Sequence, residues 1–334
     1  MITCSDDFGQ TKKWQTQLSQ AITDPTILLK RLDLDESYLS AMQSASKLFP
    51  LRVPEYFCDL IEKNNIHDPL LRQILPLDAE HFINPAFNTD PTGDLNSMAT
   101  SGVLHKYKRR ALLITTGACA VNCRYCFRRH FPYQAENASY QHWAKALSYI
   151  QQQTSLDEII LSGGDLLSLP DRSLEILLNG LQQIPHIRRI RWHTRFPVVI
   201  PERLDDHFLA LLKNSLLPQI MVLHINHPNE ISPRLKKALA ALKEQGVTLL
   251  NQAVLLKGVN DDVETLIELS LKLFDAHILP YYLHQLDQVQ GASHFLVEQN
   301  RAKNLVKTLK NQISGYLVPR FVQEIAGQQA KFWL

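Results

Sequence analysis

Long apolar runs, charge of one sign and cysteine are all in short supply in this chain of 334 residues, and each shortage removes a class of function. No uncharged apolar stretch approaches the roughly 18 residues that suggest a membrane span, so no membrane attachment is expected. The formal net charge is only +2 and no block of like charge occurs, which leaves no electrostatic footprint for nucleic acid. The most basic run, Lys106-Tyr-Lys-Arg-Arg110, reads as a solvated lead-in to a strand. The opening Met1-Ile-Thr-Cys-Ser-Asp-Asp has neither the basic nor the apolar region of a secretory leader. Five cysteines, an odd number, do not make a disulfide framework, and free thiols suit a reducing compartment. A cytoplasmic protein is expected. With 45% hydrophobic and 20% charged residues, the chain can bury a large core, as one big domain or one with an appendage.

Two textures follow one another. Residues 1–100 hold short amphipathic stretches at 37–49 and 54–63, interrupted by Pro50, Pro54, Pro69, Pro76, Pro85 and Pro91, and predict a helical appendage. Cys58 sits among apolar neighbours there, as a buried inert thiol would. From about residue 110 strand and helix patterns alternate. Strands are predicted at 111–115, 158–161, 187–193, 220–225, 248–255 and 278–283, and helices at 139–153, 173–183, 203–213, 232–245, 262–275 and 293–312. Such alternation predicts an α/β fold with a parallel sheet, either doubly wound or a partial barrel, whose active residues gather beyond the strands' C-terminal ends.

What chemistry the chain carries is concentrated in Cys119-Ala-Val-Asn-Cys123-Arg-Tyr-Cys126. The spacing lets one loop turn three sulfurs toward one point. A structural zinc takes four protein ligands, and the fourth could only be His130 or a distant residue, since Cys4 and Cys58 lie far upstream. A [4Fe-4S] cluster normally takes four thiolates, so three would leave one iron open for chemistry. Other polar groups stand at strand ends: Ser162-Gly-Gly-Asp165, His193-Thr-Arg195, His224-Ile-Asn-His227, Asn251-Gln252 and His284-Gln-Leu-Asp287. Gly163-Gly164 lets the backbone approach a ligand without Cβ obstruction. Arg128 and Arg129 sit on the cysteine loop, and a guanidinium fork is a natural partner for a carboxylate, which favours Arg128 as the anchor of an acidic substrate group. His224 and His227 do not share a face on a strand and make a poor zinc pair.

Cys-x3-Cys-x2-Cys with Tyr125 before the last cysteine resembles the signature of the radical S-adenosylmethionine enzymes. That resemblance implies a [4Fe-4S] cluster on Cys119, Cys123 and Cys126, with S-adenosylmethionine chelated to the open iron and met by Gly163, Gly164 and Asp165. Further motifs narrow it: Cys-Arg-Tyr-Cys-Phe-Arg-Arg, Leu-Ser-Gly-Gly-Asp, Trp-His-Thr-Arg-Phe-Pro-Val-Val-Ile-Pro, Ile-Asn-His-Pro-Asn-Glu-Ile and Pro-Tyr-Tyr-Leu-His-Gln-Leu-Asp are similar to the lysine 2,3-aminomutase family over roughly residues 48–331. The family implies a partial (β/α)6 barrel at 101–315 and a C-terminal segment, 316–334, whose Lys331 forms a Schiff base with pyridoxal 5'-phosphate. Without the family Lys331 reads as a surface lysine on a frayed tail. The resemblance also implies Gln252 at the cofactors, Arg128 on the substrate carboxylate, and Asp287 and Glu324 on its ε-ammonium. Glu324 stands where lysine-specific members carry aspartate, and Gly327 alone remains of a glycine-rich segment.

Ending soon after Lys331, the chain looks like the branch that makes (R)-β-lysine for modification of elongation factor P. That implies a functional link to the factor's lysyl ligase, and an external electron donor for the cluster. Two other readings are an aminomutase for free lysine or another amino acid, and a non-catalytic iron-sulfur scaffold or redox sensor. Asp287 argues against glutamate as substrate, because two carboxylates would meet.

Overall fold

Apolar strand patterns of period two and helical faces of period 3.6 assemble here around one continuous sheet. In the computed structural model, which describes residues 13–136 and 143–334, an antiparallel ribbon of β1 (Met98–Thr100) and β2 (Val103–Tyr107) leads into β3 (Arg110–Thr116). There follow β4 (Glu158–Gly163), β5 (Arg189–Thr194), β6 (Gln219–His224), β7 (Thr248–Val254), β8 (Leu279–His284) and β9 (Arg320–Gln323), each parallel to its predecessor. β10 (Phe332–Trp333) turns back antiparallel on β9. The ten strands pair strictly in chain order without closing, so the α/β fold is a partial barrel. All six predicted strands are present.

Burial explains the strand choices. β4 is buried at every position, as expected of a central parallel strand covered on both faces. β5 alternates: Ile190 and Trp192 are buried in the core layer while Arg191 and His193 line the cavity. The helices Asp171–Gln182, Pro233–Glu244 and Val263–Asp275 cover the outside with leucine-rich faces. Ser232 and Asp262 cap two of them, accepting from Leu235 N and Thr265 N at 3.1 and 2.8 Å; each cap is worth about 1 kcal/mol. No helix among the described residues is long and apolar enough to cross a membrane.

Three local expectations change, and a fourth falls partly outside the described residues. The predicted helix at 54–63 is a single turn, Glu55–Cys58, because Glu62 N turns to the Asp68 carboxylate instead of a helical carbonyl and Asn64 takes a positive φ of 54°. The pattern at 293–312 divides into a 3-10 turn, Ser293–Phe295, and a helix, Gln299–Gln312. The helix predicted at 139–153 is Trp143–Gln152, residues 139–142 lying outside the described set. The basic run leads into β3 as expected, with Lys108 and Arg109 exposed in the β2–β3 turn, but Lys106 is drawn inside with its side chain only 14% exposed. N-terminal Leu28, Met42 and Phe57 belong to the same apolar cluster as barrel residues Trp192 and Leu223.

Candidate active site

The cysteine loop leaves the C-terminal end of β3 and is bound to a platform from the N-terminal region. Asn122 N donates to the carbonyl of Arg52 at 3.1 Å and Arg124 N to that of Gln73 at 2.9 Å. Between Cys123 and Cys126, Arg124 turns its guanidinium away and buries it, donating through Nε and Nη2 to Glu80 at 2.7 and 2.6 Å and through Nη1 to the Phe49 carbonyl at 2.7 Å. Arg129 Nη2 reaches the same carboxylate at 2.7 Å. Two buried arginines thus share one buried acid. Removing that acid would strand both charges, at a cost of about 3–5 kcal/mol; Glu80→Ala is therefore expected to shift the urea unfolding midpoint sharply down and to weaken iron retention on reconstitution.

The loop's thiols fit a cluster better than a single ion. Among the described residues no three His, Cys, Asp or Glu side chains converge on one metal ion, which a zinc site requires. A [4Fe-4S] cluster instead gives each thiolate its own iron. His130, the candidate fourth zinc ligand, is exposed and lies 3.2 Å from the Gln290 carbonyl. Burial, then the neighbouring Cys123, pushes the Cys126 thiol up to about 11, and burial raises Cys119 well above its usual range; iron binding is what would strip these protons. Cys58 lies apart in the apolar core, pushed up to about 12 by burial, and Cys4 falls outside the described residues.

The glycine turn after β4 packs on this loop. A Cβ on Gly163, at φ +127°, would stand 2.5 Å from the Thr116 carbonyl oxygen, and one on Gly164 would stand 2.5 Å from that of Ala118. The same two carbonyls accept from Gly164 N and Asp165 N, both at 2.7 Å. The glycines therefore serve first to let the turn lie against the chain entering the cysteine loop, and only their open side faces the cavity. Asp165 is likewise engaged: its carboxylate accepts from Thr194 Oγ1, Arg195 N, Phe196 N and Leu167 N at 2.7, 2.7, 2.9 and 3.1 Å, which fills its acceptor sites. It ties the turn to the end of β5.

Across the cavity runs a chain of alternating charge that the sequence motifs did not reveal. Arg128 Nε donates to Asp94 at 2.7 Å, Lys106 Nζ lies 2.5 Å from Asp94 and 3.2 Å from Glu324, and Lys331 Nζ lies 2.5 Å from Glu324. Tyr107 adds a hydroxyl bond to Glu324 at 3.1 Å. Against the opposing effect of burial, Lys331 and Lys106 hold Glu324 down to about 2, and Arg128 and Lys106 hold Asp94 well below the carboxylate range. Asp287 is the contrast. It makes no side-chain hydrogen bond or ion pair with a described residue, and burial pushes it up to about 7, only partly offset by Lys331. Lys106 could have been found from the period-two alternation that puts it on the same face as Leu104; Asp94, in the turn Asp90-Pro-Thr-Gly-Asp94, gives no such signal.

Three histidines at the ends of β5, β6 and β8 stay neutral. Burial lowers His193 and His284 well below the usual imidazole range and His224 to about 3. His224 Nε2 stands 3.1 Å from the Tyr125 hydroxyl, whereas His227 turns aside to accept from Asn229 N; the two do not form a pair. Cys119, Cys123, Cys126, Arg128, Gly163, Gly164, Asp165, Gln252, Asp287, Glu324 and Lys331 all line one cavity, with about 1680 Å³ of atom-free space that includes its open mouth.

A profile of the Radical SAM superfamily matches residues 113–270. The chain is 50% identical over 319 residues to the L-lysine 2,3-aminomutase of Escherichia coli (strain K12), covering 95% of this chain and 93% of that one. It is 50% identical over 322 residues to the L-lysine 2,3-aminomutase of Haemophilus influenzae, covering 96% and 95%. The L-lysine 2,3-aminomutase of Clostridium subterminale is 33% identical over 319 residues, covering 95% of this chain and 76% of the relative.

Proposed function

Since the chain belongs to the lysine 2,3-aminomutase family of the radical SAM superfamily, isomerases that carry a [4Fe-4S] cluster and use S-adenosylmethionine, we propose that it converts L-α-lysine to (R)-β-lysine with pyridoxal 5'-phosphate held on Lys331. The observation that carries this reading is the single cavity shared by the three cysteines, Lys331 and an unpaired Asp287. When bound, the cluster with S-adenosylmethionine supplies hydrogen-atom abstraction, and pyridoxal phosphate supplies radical stabilisation while nitrogen migrates.

The chain's own residues bind, orient and hold charge. Arg128, fixed by Asp94 at its Nε edge and with Nη1 at 3.4 Å from Ser162 Oγ, offers its Nη2 to the substrate carboxylate. Asp287, unpaired, takes the substrate's ε-ammonium. Glu324 already holds Lys331 and Lys106, so its contribution is to keep the Lys331 amine in place. Arg110 and Arg191, which line the cavity beside Tyr107, Tyr281 and Tyr282, are the cations suited to the phosphate. Gln252 lines the same space from β7.

Asp287 gives the test. Raised to about 7 in the free enzyme, it is protonated below that pH and ionised above it, and only the ionised form pairs with an ammonium. The kcat/KM for L-lysine is expected to rise with pH through about 7. Asp287→Asn should remove that limb and lower kcat/KM some hundredfold or more, since a buried ammonium left unpaired costs about 3–5 kcal/mol. Chiral product analysis with L-lysine, L-arginine and L-glutamate completes it: a β-amino acid from glutamate alone would sink the charge-pairing scheme. We extend the proposal to elongation factor P as the destination of the β-lysine, by way of its lysyl ligase, in the cytoplasm. Loss of the β-lysyl mass from the factor in a strain lacking this chain is the expected result, and an unchanged mass removes that extension.

A further inference from the structure

Of the loop's thiols, Cys123 meets a charged donor: Arg195 Nη1 donates to its Sγ at 2.9 Å. Arg195 follows directly on β5, and its position is over-determined. Its backbone N donates to Asp165 Oδ2 at 2.7 Å. Its Nη2 donates to Gln73 Oε1 at 2.8 Å and to Glu230 Oε2 at 3.0 Å, Nη1 also reaches the Tyr125 hydroxyl, and the guanidinium carbon lies 5.5 Å from the Phe57 ring centre. Its partners are interlocked in turn. Asn226 Nδ2 donates to Gln73 Oε1 and to the Tyr125 hydroxyl oxygen at 3.0 and 2.7 Å. Glu230 Oε1 accepts from Gln73 Nε2, Asn226 N and His227 N at 3.1, 3.0 and 3.0 Å. With 6% of Arg195 and none of Glu230 exposed, the guanidinium is held at the cavity wall by this network and stays aimed at the sulfur.

Packing alone does not call for a charge here, because an apolar group in the same space avoids the desolvation penalty of a buried ion. A charge does matter to a cluster. Hydrogen bonds to ligating sulfurs and the local charge are among the factors that set iron-sulfur potentials. We propose that Arg195 is a positioning residue for the redox step: its N–H bond to Cys123 Sγ raises the reduction potential of the cluster and eases its loading with one electron. The step is the one-electron reduction of the cluster from its 2+ to its 1+ core by an external low-potential donor. The added electron makes the sulfurs more negative, the guanidinium bond to Cys123 tightens, and the reduced form gains more than the oxidised one. No proton moves, since arginine stays charged throughout. Glu230 opposes this from the far side of the guanidinium and trims the effect.

This inference rests on the cluster assignment of the cysteine loop, and its test separates the two. Midpoint potentials of the reconstituted full chain, read by electron paramagnetic resonance during a redox titration, are compared at equal iron content. The double variant Arg195→Gln/Glu230→Gln, which keeps the pocket filled and removes both charges, is expected to titrate lower, with the reduced fraction at a fixed poise falling about tenfold, equivalent to about 59 mV for one electron. Glu230→Gln alone should titrate higher than wild type, and Arg195→Lys should fall between wild type and the double variant. A merely structural role would change iron content or melting temperature without moving the potential in opposite directions. Equal midpoints in iron-replete variants overturn the role of Arg195, whereas a wild-type chain that binds no cluster overturns the cluster assignment itself.

Discussion

Lys331→Ala is expected to purify with full iron, to hold no pyridoxal phosphate after dialysis, and to lose turnover of L-lysine by about 10⁴-fold or more, the scale on which removing a covalent nucleophile acts. The separation of effects follows from how the two ends of the cavity are built. Lys331 stands next to β10, with its amine on Glu324 and 5.8 Å from the Tyr282 ring centre. The cysteine loop is held by residues 49–80 on the opposite side. Loss of Lys331 leaves Glu324 still paired with Lys106, so the charge chain from Arg128 persists and the fold is not asked to bury a lone acid. Borohydride trapping followed by peptide mapping checks the assignment. A label retained in the variant would move the attachment point to Lys106, the other lysine lining the cavity; Lys257 is exposed and does not line it.

The second large effect is on iron. Alanine at Cys119, Cys123 or Cys126 should each strip the cluster and with it all activity, because in the proposed ligand set each thiolate holds a separate iron and no His, Asp or Glu among the described residues converges to replace it. Cys58→Ala should keep both, its thiol being buried in the apolar core away from the cavity. Iron and sulfide analysis with the visible absorbance of the reconstituted protein reads the result directly. Iron lost from Cys58→Ala, or kept by any one of the loop variants, would show the ligand set to be wrong.

Strand patterns long enough to repeat, such as Leu249 to Val254, are legible as a sheet, and the order of polar groups at their C-terminal ends outlines the cavity. β9 was not legible. Arg320-Phe-Val-Gln323 is four residues with one buried pair, too short for periodicity to speak, and it becomes a strand because β8 offers it an edge. The cysteines could be read from spacing, while Lys331 could be read only through family resemblance, since nothing local distinguishes it from a tail lysine. Glu80, in Leu77-Asp-Ala-Glu-His81, looks like a solvated acid and is instead the buried partner of Arg124 and Arg129. Asp94 escaped for the same reason: a charge is drawn inside by a partner distant in sequence, and pattern along the chain carries no trace of that partner.

A barrel that closes on itself has no edges, whereas this sheet stops at both ends, and no further strand pairs with either among the described residues. Rows of unpaired N–H and C=O groups invite other chains to add strands. Here the terminal strands are only three and two residues long, and the β1 register shifts between Met98 and Thr100, so each end offers a template too short to seed a ladder. The β10 end is the weaker guard, because Phe332 and Trp333 are 55% and 63% exposed and give any incoming strand an apolar grip. Resistance to aggregation at high concentration therefore depends on β10 remaining a two-residue strand.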